Sequence, residues 1–213
     1  RLLSEAEAPV RAILRDLSKL RPLPGVVWAR ADLADARLLE PALAGTRVLF
    51  LLTGNAAGFG RIQIDVIRAA ECLGVEHVVK LSALGASGRS KAGLGREHWD
   101  AEQALIESSL GWTILRPHSF MQNWLDDLAE EVRAEGAIHS PVGEGRVPFI
   151  DARDIAEVAA RVLLDPEAHA GRKYTLTGGE AVSYDRVASA ISRAIGKPVE
   201  YRPISMEEAR ARM

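Results

Sequence analysis

Residues 47–82 have the sequence RVLFLLTGNAAGFGRIQIDVIRAAECLGVEHVVKLS, and this stretch decides the fold. Its first six residues form a continuous apolar run of strand length, as expected for a strand buried on both faces. A polar turn follows, and a helical pattern over residues 61–73 ends at Gly74. Residues 75–81 form the next predicted strand. A strand, a helix and a strand in this order predict a βαβ crossover in a parallel sheet.

The same alternation continues on both sides of this stretch. Apolar strand patterns cover residues 10–15, 26–28 and 112–116, and helical patterns cover residues 35–43, 96–109 and 119–135. Short apolar strands that alternate with helices of about a dozen residues indicate a parallel sheet with helices on both faces. We therefore predict the α/β class, with a Rossmann-like doubly wound parallel sheet.

The alternation loosens after Gly136. Beyond it we expect strands over residues 147–150, 173–176 and 199–204, and helices over residues 151–164 and 184–195. Because no linker precedes this part, we expect a small α+β cap on the substrate side rather than an independent domain. The predicted organisation is a Rossmann-like portion over residues 1–136 and the cap over residues 137–213.

Composition narrows the class of protein. The chain has 213 residues, and 27 basic against 29 acidic groups give a formal net charge of −2, without the basic surplus typical of nucleic-acid binding. Hydrophobic residues make up 47%, yet no apolar run reaches the ~18 residues of a membrane span. The single cysteine, Cys72, excludes a disulfide framework and fits a reducing compartment, so we expect a cytoplasmic protein.

The polar residues that follow each predicted strand are the candidate ligand-binding residues. In an open parallel sheet, ligands bind beyond the carboxyl ends of the strands, where the strand order reverses. The residues at these positions are Arg15 and Asp16, Asp32 and Leu33, Thr53 to Asn55, Ser82 and Ala83, and Pro117 and His118.

Five segments in this order carry a resemblance to a known family. They are VRAILRD (10–16), ADLAD (31–35), VVKLSALG (78–85), TILRP (113–117) and SFMQN (119–123). Together they resemble the NmrA-like family, which consists of atypical short-chain dehydrogenase/reductases with a Rossmann fold that binds a nicotinamide cofactor. Some members of this family are NAD(P)H:quinone oxidoreductases, and others are redox-sensing regulators.

The chain departs from the family at its beginning. The family starts with a strand and a G-x-x-G-x-x-G loop, which holds the pyrophosphate on N–H groups at a helix N-terminus, and this chain lacks both. Residues 1–7 would be the tail of the helix that follows that loop. Roughly 20 further residues would be needed to restore the strand, the loop and the start of the helix. We expect a fragment cut at both ends, because residues 1–7 and 206–212 are helix-like stretches without a start and a stop signal. Its sheet would have a gap at the family's central strand.

An alternative phosphate loop is TGNAAGFG, residues 53–60, which also lies between a strand and a helix. Its glycines do not fit G-x-G-x-x-G, and Lys80 to Ser82 end the next strand where an acidic residue would be needed. We therefore prefer the interpretation based on the family.

The resemblance implies that the chain binds NADP, with NADPH preferred over NADH. Arg15 ends the strand where an acidic residue would select NAD, and a guanidinium there suits the 2′-phosphate. Lys19 is near enough in sequence to assist it. Asp32 would flank the adenine, with a role as a turn residue as the equal alternative. The other cofactor-binding residues that the resemblance implies are Leu33, Thr53, Gly54, Asn55, Ser82, Ala83 and Pro117.

The resemblance also implies a reacting site at Ser82, because short-chain dehydrogenases place their catalytic-site serine at the end of this strand. Lys80 precedes it by two residues and therefore lies on the same face of the strand. A lysine in a buried strand is costly unless its amine reaches a polar site or solvent. We expect Lys80 to reach towards the ribose end of the cofactor, and extension of its amine to solvent is the alternative.

His98 and Glu102 stand where the wider superfamily has Tyr-x-x-x-Lys, one helical turn apart. His98 is a candidate proton donor, because histidine exchanges protons near neutral pH and a glutamate one turn away would stabilise its charged form. The alternative, slightly favoured for carbonyl chemistry, is a surface pair without a catalytic role. Hydride delivery to a quinone needs little acid catalysis, so the absence of the tyrosine is compatible with a reductase.

Phe120, Met121 and Asn123 resemble the segment that lines the nicotinamide and substrate pocket, and the first two suit a flat apolar acceptor. We expect an NADPH-preferring reductase that transfers a hydride to a quinone or a similar small electrophile, without nucleic acid or membrane as a partner. The alternative is a non-catalytic NAD(P)-binding redox sensor that acts through a protein partner. No metal is expected, and a homodimer is a candidate assembly.

Overall fold

The computed structural model describes residue 3, residues 8–125 and residues 127–212. In this part of the chain the strands are β1 (Val10–Leu14), β2 (Val26–Arg30), β3 (Val48–Leu51), β4 (His77–Leu81), β5 (Gly111–Pro117), β6 (Ala137–Ser140), β7 (Arg146–Val147), β8 (Arg172–Leu176), β9 (Val182–Ser183) and β10 (Glu200–Pro203). The α-helices are α1 (Ala36–Leu43), α2 (Phe59–Cys72), α3 (Gly93–Glu107), α4 (Asp127–Glu135), α5 (Ala152–Leu164), α6 (Tyr184–Ile195) and α7 (Met206–Ala211). The predicted helix tail over residues 1–7 lies outside the described residues, except for Leu3.

Parallel strands with intervening helices confirm the predicted α/β class. The main sheet has the order β3–β4–β5–β8, and every neighbouring pair in it is parallel. β1 and β2 form a second parallel sheet, and among the described residues no ladder of hydrogen bonds joins the two sheets.

Contacts divide the chain into two compact units, which we call the first and the second unit. The described residues of 1–117 and 155–176 form the first unit, and those of 118–154 and 177–213 form the second. The predicted boundary after residue 136 differs from this division. The difference arises because β8 pairs with β5 in the first unit, whereas residues 121–125 pack with α4, and α4 packs with β6, in the second.

The core of the first unit lies between the main sheet and its helices. Its buried members are Leu39, Leu43, Leu51, Val66, Ile67, Ala70, Val75, Val78, Leu105, Leu110 and Ile114. Every residue of β4 is buried. Burying a large aliphatic side chain contributes roughly 1.5–3 kcal/mol, which applies to Val78, Val79 and Leu81, whereas His77 and Lys80 are buried polar side chains.

The second unit is built around β6, which pairs in parallel with β10. Its core consists of Val132, Ile138, Ala188 and Val199, against which Trp124, Tyr184, Val187, Ile191 and Tyr201 pack. The sequence did not predict β6, a four-residue strand that directly follows Gly136.

The single helix predicted over residues 119–135 is wrong. A 3-10 helix (Met121–Leu125) is followed by α4. The cause is a backbone exchange in which Met121 N donates to Ile150 O (2.8 Å) and Ile150 N donates to Ser119 O (3.0 Å). These bonds give residues 119–121 an extended partner, and they leave Ile150 in an isolated bridge instead of the predicted strand over residues 147–150.

None of the helices in the described part of the chain combines the length and the apolar character needed to cross a lipid bilayer.

Candidate active site

Lys80 lies in the middle of the buried strand β4 and is 0% exposed. Its Nζ donates to Leu81 O (3.3 Å) and lies 3.1 Å from His98 Nδ1. The alternative in which the amine extends to solvent is therefore wrong. Burial lowers the pKa of Lys80 from 10.5 to about 7; the charge of Glu102 opposes this shift and the charge of Arg116 adds to it.

His98 projects from α3 into the same interior and is 5% exposed. Its ring packs edge-on against the ring of Phe59, with 4.7 Å between centroids. Burial, and next the charge of Lys80, lower the pKa of His98 to about 4, against the opposing charges of Glu102 and Glu97. His98 is therefore neutral near pH 7. The interpretation of this residue as part of a surface pair is therefore wrong, and its lowered pKa is unfavourable for a histidinium stabilised by Glu102.

The contact between Lys80 and His98 determines which ring nitrogen of the histidine carries the proton. An ammonium group can only donate, so when Lys80 is charged its Nζ donates to Nδ1 and the hydrogen of neutral His98 is on Nε2. No described residue accepts a hydrogen bond from Nε2. This leaves Nε2 as a donor for a bound molecule.

Glu102 is a second buried charge beside this pair and is 0% exposed. Ser82 Oγ donates to its Oε1 (2.5 Å), and Arg116 binds both carboxylate oxygens, with Nε 2.9 Å from Oε1 and Nη2 in short contact with Oε2. Lys173 Nζ lies 3.8 Å from Oε2. Two cations and a hydroxyl satisfy the carboxylate, which a buried charge requires. Glu102 therefore joins α3 to the ends of β4 and β5.

Glu97 is a residue of α3, and its carboxylate binds backbone N–H groups at the start of α2. Its Oε2 accepts from Gly60 N (2.7 Å) and its Oε1 accepts from Gly58 N (3.3 Å). These are the N–H groups that a phosphate would need at this helix terminus. The alternative phosphate loop over residues 53–60 is therefore wrong. Sequence reasoning missed Glu97, because its partners lie 37 and 39 residues away.

The carboxyl ends of β3, β4 and β5 meet at one edge of the main sheet, because these strands are parallel neighbours. The segments that follow these strands therefore reach the same edge: Thr53, Gly54 and Asn55 after β3, Ser82 and Ala83 after β4, and Pro117 at the end of β5. Thr53 Oγ1 accepts from Gln63 Nε2 (2.8 Å), and the space beside the α-carbon of Gly54 is open. Pro117 O accepts from Leu84 N (3.0 Å).

The predicted residues of the adenosine end follow β1 and β2. Arg15 is exposed and makes no hydrogen bond or ion pair with another described residue. Lys19 ends a 3-10 turn (Leu17–Lys19), and its side chain is outside what the structure describes. Asp32 Oδ1 accepts from Ala34 N (3.0 Å), as a turn residue does, and Leu33 packs against the first unit's core.

Comparison with a known protein family identifies the chain. The sequence model of the NmrA-like family matches residues 1–212. The chain belongs to the NmrA-like family.

Curated relatives of this NmrA-like chain carry the names of reductases. It is 40% identical to the NAD(P)H azoreductase of Xenophilus azovorans, over 100% of this chain and 74% of that protein. It is 31% identical to quinone oxidoreductase 2 of Escherichia coli (strain K12), over 91% of this chain and 68% of that protein.

Solved structures show the same fold. The NADPH complex of the NADPH-dependent quinone oxidoreductase QOR2 from Escherichia coli superimposes with a TM-score of 0.83 and 29% identity, over 96% of this chain and 73% of that one. The Citrobacter sp. triphenylmethane reductase complexed with NADP(H) superimposes with a TM-score of 0.80 and 26% identity, over 95% of this chain and 72% of that one.

The predicted pocket residues of this NmrA-like chain belong to the second unit. Phe120 pairs with Ile150 in the isolated bridge, and its carbonyl oxygen accepts from Asn123 N (3.2 Å). The side chain of Met121 is 46% exposed, so it is available to a ligand rather than buried in a core.

The second unit also contains a group of metal-ligand residue types, which the sequence spacing did not predict: Glu131, Glu135 and His139. Arg212 donates to Glu135 Oε1 (3.2 Å) and to Glu131 Oε1 (3.3 Å). His139 Nδ1 lies 2.6 Å from Glu131 Oε1. One guanidinium already pairs with both carboxylates, so the group forms an intramolecular ion-pair network.

Proposed function

We propose that this protein is an NADPH-dependent oxidoreductase that reduces a quinone or a similar small electrophile by direct hydride transfer. The observation that carries the proposal is the buried contact of 3.1 Å between Lys80 Nζ and His98 Nδ1, next to Ser82 and at the carboxyl edge of a parallel sheet. The chain belongs to the NmrA-like family and has relatives named as reductases, and both findings support the same reaction class.

The donor set of the described residues fits the two ends of NADPH. Arg15 offers an exposed guanidinium that has no partner among the described residues, and guanidinium geometry suits a phosphate monoester such as the 2′-phosphate. Thr53, Gly54 and Asn55 provide polar groups and open space at the sheet edge, next to Ser82. The N–H groups at the start of α2 are occupied by Glu97, so among the described residues that helix does not hold the pyrophosphate.

Bound NADPH supplies the hydride. His98 Nε2 then donates a proton to the acceptor atom that becomes anionic, and Lys80 donates a proton to His98 Nδ1. The acceptor gains one hydride and one proton, and His98 remains neutral with its hydrogen moved from Nε2 to Nδ1. Nε2 then takes up a proton from water and Nδ1 returns its proton to the amine of Lys80, which restores the starting state. A pKa of about 7 suits this role, because both protonation states of Lys80 are accessible near neutral pH.

Ser82, Glu102 and Arg116 hold the donor pair in place rather than transferring protons. The carboxylate of Glu102 ties α3, which carries His98, to the strand that carries Lys80 and to β5. Its negative charge also opposes the loss of the proton from Lys80. The histidine and the lysine are thereby kept at hydrogen-bonding distance in a water-poor interior.

The test is turnover of NADPH with a small soluble quinone, followed by the loss of reduced-nicotinamide absorbance. We expect a rate well above that of the uncatalysed mixture, and a similar result with an azo compound as the acceptor. Lys197→Met, at an exposed position, serves as the control for substitutions at Lys80. Binding of NADPH without turnover would contradict the proposal and favour the redox-sensor alternative.

The proposal includes a cytoplasmic location and a homodimer. The single cysteine, which is free and exposed, supports a reducing compartment. Sedimentation equilibrium tests the assembly, and a monomer at micromolar concentration would contradict the homodimer.

A further inference from the structure

Glu97 connects two parts of the candidate site that come from different stretches of the chain. From α3 its carboxylate accepts hydrogen bonds from Gly60 N (2.7 Å) and Gly58 N (3.3 Å) at the start of α2. Its neighbour on α3 is His98. The loop that ends at Gly58 begins with Thr53, on the cofactor side of the sheet edge.

The backbone at the start of α2 is shaped for this contact. A Cβ at Gly60 would lie 2.8 Å from Glu97 Cβ and 2.9 Å from Glu97 O, so only glycine allows the two helices to approach this closely. Gly58 has φ = +86°, a conformation that L side chains rarely adopt. Because Gly58 offers no side-chain cap to α2, the carboxylate of Glu97 replaces it.

A second contact connects the same two helices at the reacting end. The ring of Phe59, between the two glycines, packs edge-on against the ring of His98 at 4.7 Å. The N-terminal turn of α2 is therefore held by a charged hydrogen-bond acceptor and by the side chain of the proposed proton donor. These two contacts connect the loop 53–58 with the helix that carries His98.

We propose that Glu97 is a positioning residue, which holds the cofactor-side loop 53–58 at a fixed distance from His98. This role rests on the proposed function. Hydrogen bonds to a carboxylate are stronger than those between neutral groups, which favours a fixed loop in the absence of any ligand. Losing the carboxylate frees the loop and weakens the binding of NADPH, whereas the donor pair of Lys80 and His98 keeps its own hydrogen bond.

The test compares Glu97→Ala and Glu97→Gln with Glu107→Gln, a control at the exposed last residue of the same helix. Hydrogen exchange of the segment 53–60 is measured without any ligand, and the KM values for NADPH and for the quinone are measured separately. For Glu97→Ala we expect exchange of this segment and the KM for NADPH to rise roughly tenfold, with the KM for the quinone unchanged. Glu97→Gln, which keeps one acceptor oxygen, should be intermediate.

The outcomes separate this inference from the proposed function. Unchanged hydrogen exchange in Glu97→Ala would overturn the claim that Glu97 holds the loop, whether or not the protein is a reductase. If Glu97→Ala lowers the thermal midpoint but has the same KM for NADPH as the control Glu107→Gln, the role of Glu97 is structural alone and the positioning role is overturned. A wild-type protein that does not oxidise NADPH would refute the proposed function, whereas the exchange measurement would still decide whether Glu97 holds the loop.

Discussion

Replacing Lys80 with methionine tests whether its amine is as deeply buried as the structure shows. Methionine has a similar length and no charge. The shift of the pKa of Lys80 from 10.5 to about 7 corresponds to a cost on the order of 5 kcal/mol for keeping the charge in the folded state. The unfolded chain keeps its proton up to about pH 10.5, and the folded protein loses it near pH 7. Below pH 7 the cost is fully present, and it is relieved as the pH rises.

The free energy of unfolding of the wild type should therefore rise by up to ~1.4 kcal/mol per pH unit between pH 7 and pH 10, from this residue alone. Lys80→Met should lack this rise, so its stability relative to the wild type should be greatest at pH 6 and should fall steadily towards pH 9. Urea unfolding at pH 6, 7, 8 and 9 measures the difference. The exposed-site variant Lys197→Met should follow the wild type at every pH. A difference between wild type and Lys80→Met that does not change with pH would refute the burial argument.

Three further predictions concern the pH dependence, the cofactor and the helix contact. The turnover number with a quinone should fall roughly tenfold per pH unit above pH 7, as Lys80 loses its proton, and a flat profile from pH 6 to 9 would contradict this. Arg15→Glu should lower the ratio of kcat/KM for NADPH over NADH by ~10-fold or more, whereas Arg89→Glu should leave it unchanged; equal ratios in both variants would remove Arg15 from the site. Gly60→Ala should destabilise the fold by about 1–3 kcal/mol in urea unfolding, because the added Cβ meets the backbone of the next helix. The control Gly179→Ala, whose added Cβ lies in open space, should not destabilise it. Equal unfolding midpoints for the two variants would show that the helices separate at no cost.

Much of the fold could be predicted because strands and helices of the first unit have local signals. The apolar run of β3, the strand patterns of β4 and β5 and the glycine after α2 predict the element order without any tertiary contact. The segment 119–140 could not be predicted in this way. There the backbone of Met121 bonds to Ile150, and β6 finds its partner in β10, more than 60 residues away.

The candidate site was predictable where it depends on strand ends and on alternation within a strand. The spacing of Lys80 and Ser82 predicts that both lie on one face of the chain at the end of β4. The pairing of β3 with β4 then brings Thr53 to the same edge of the sheet. The state of His98 did not follow from its spacing to Glu102, because its closest polar partner is on another element. Arg116 and Glu97 act through contacts across 14 and 37 residues of sequence, which only the packed structure brings together.

Replacing His98 with phenylalanine tests the central claim most directly, because the substitution keeps a ring against Phe59 and removes the Nε2 donor. The turnover number would be measured at saturating NADPH and quinone near pH 6.5, and the affinity for NADPH would be measured by its fluorescence. We predict a fall in turnover of about 100-fold with the affinity for NADPH unchanged, as expected for the loss of a general acid. Unchanged turnover with unchanged affinity would show that water supplies the proton and would contradict the assignment of Lys80 and His98 as the donor pair.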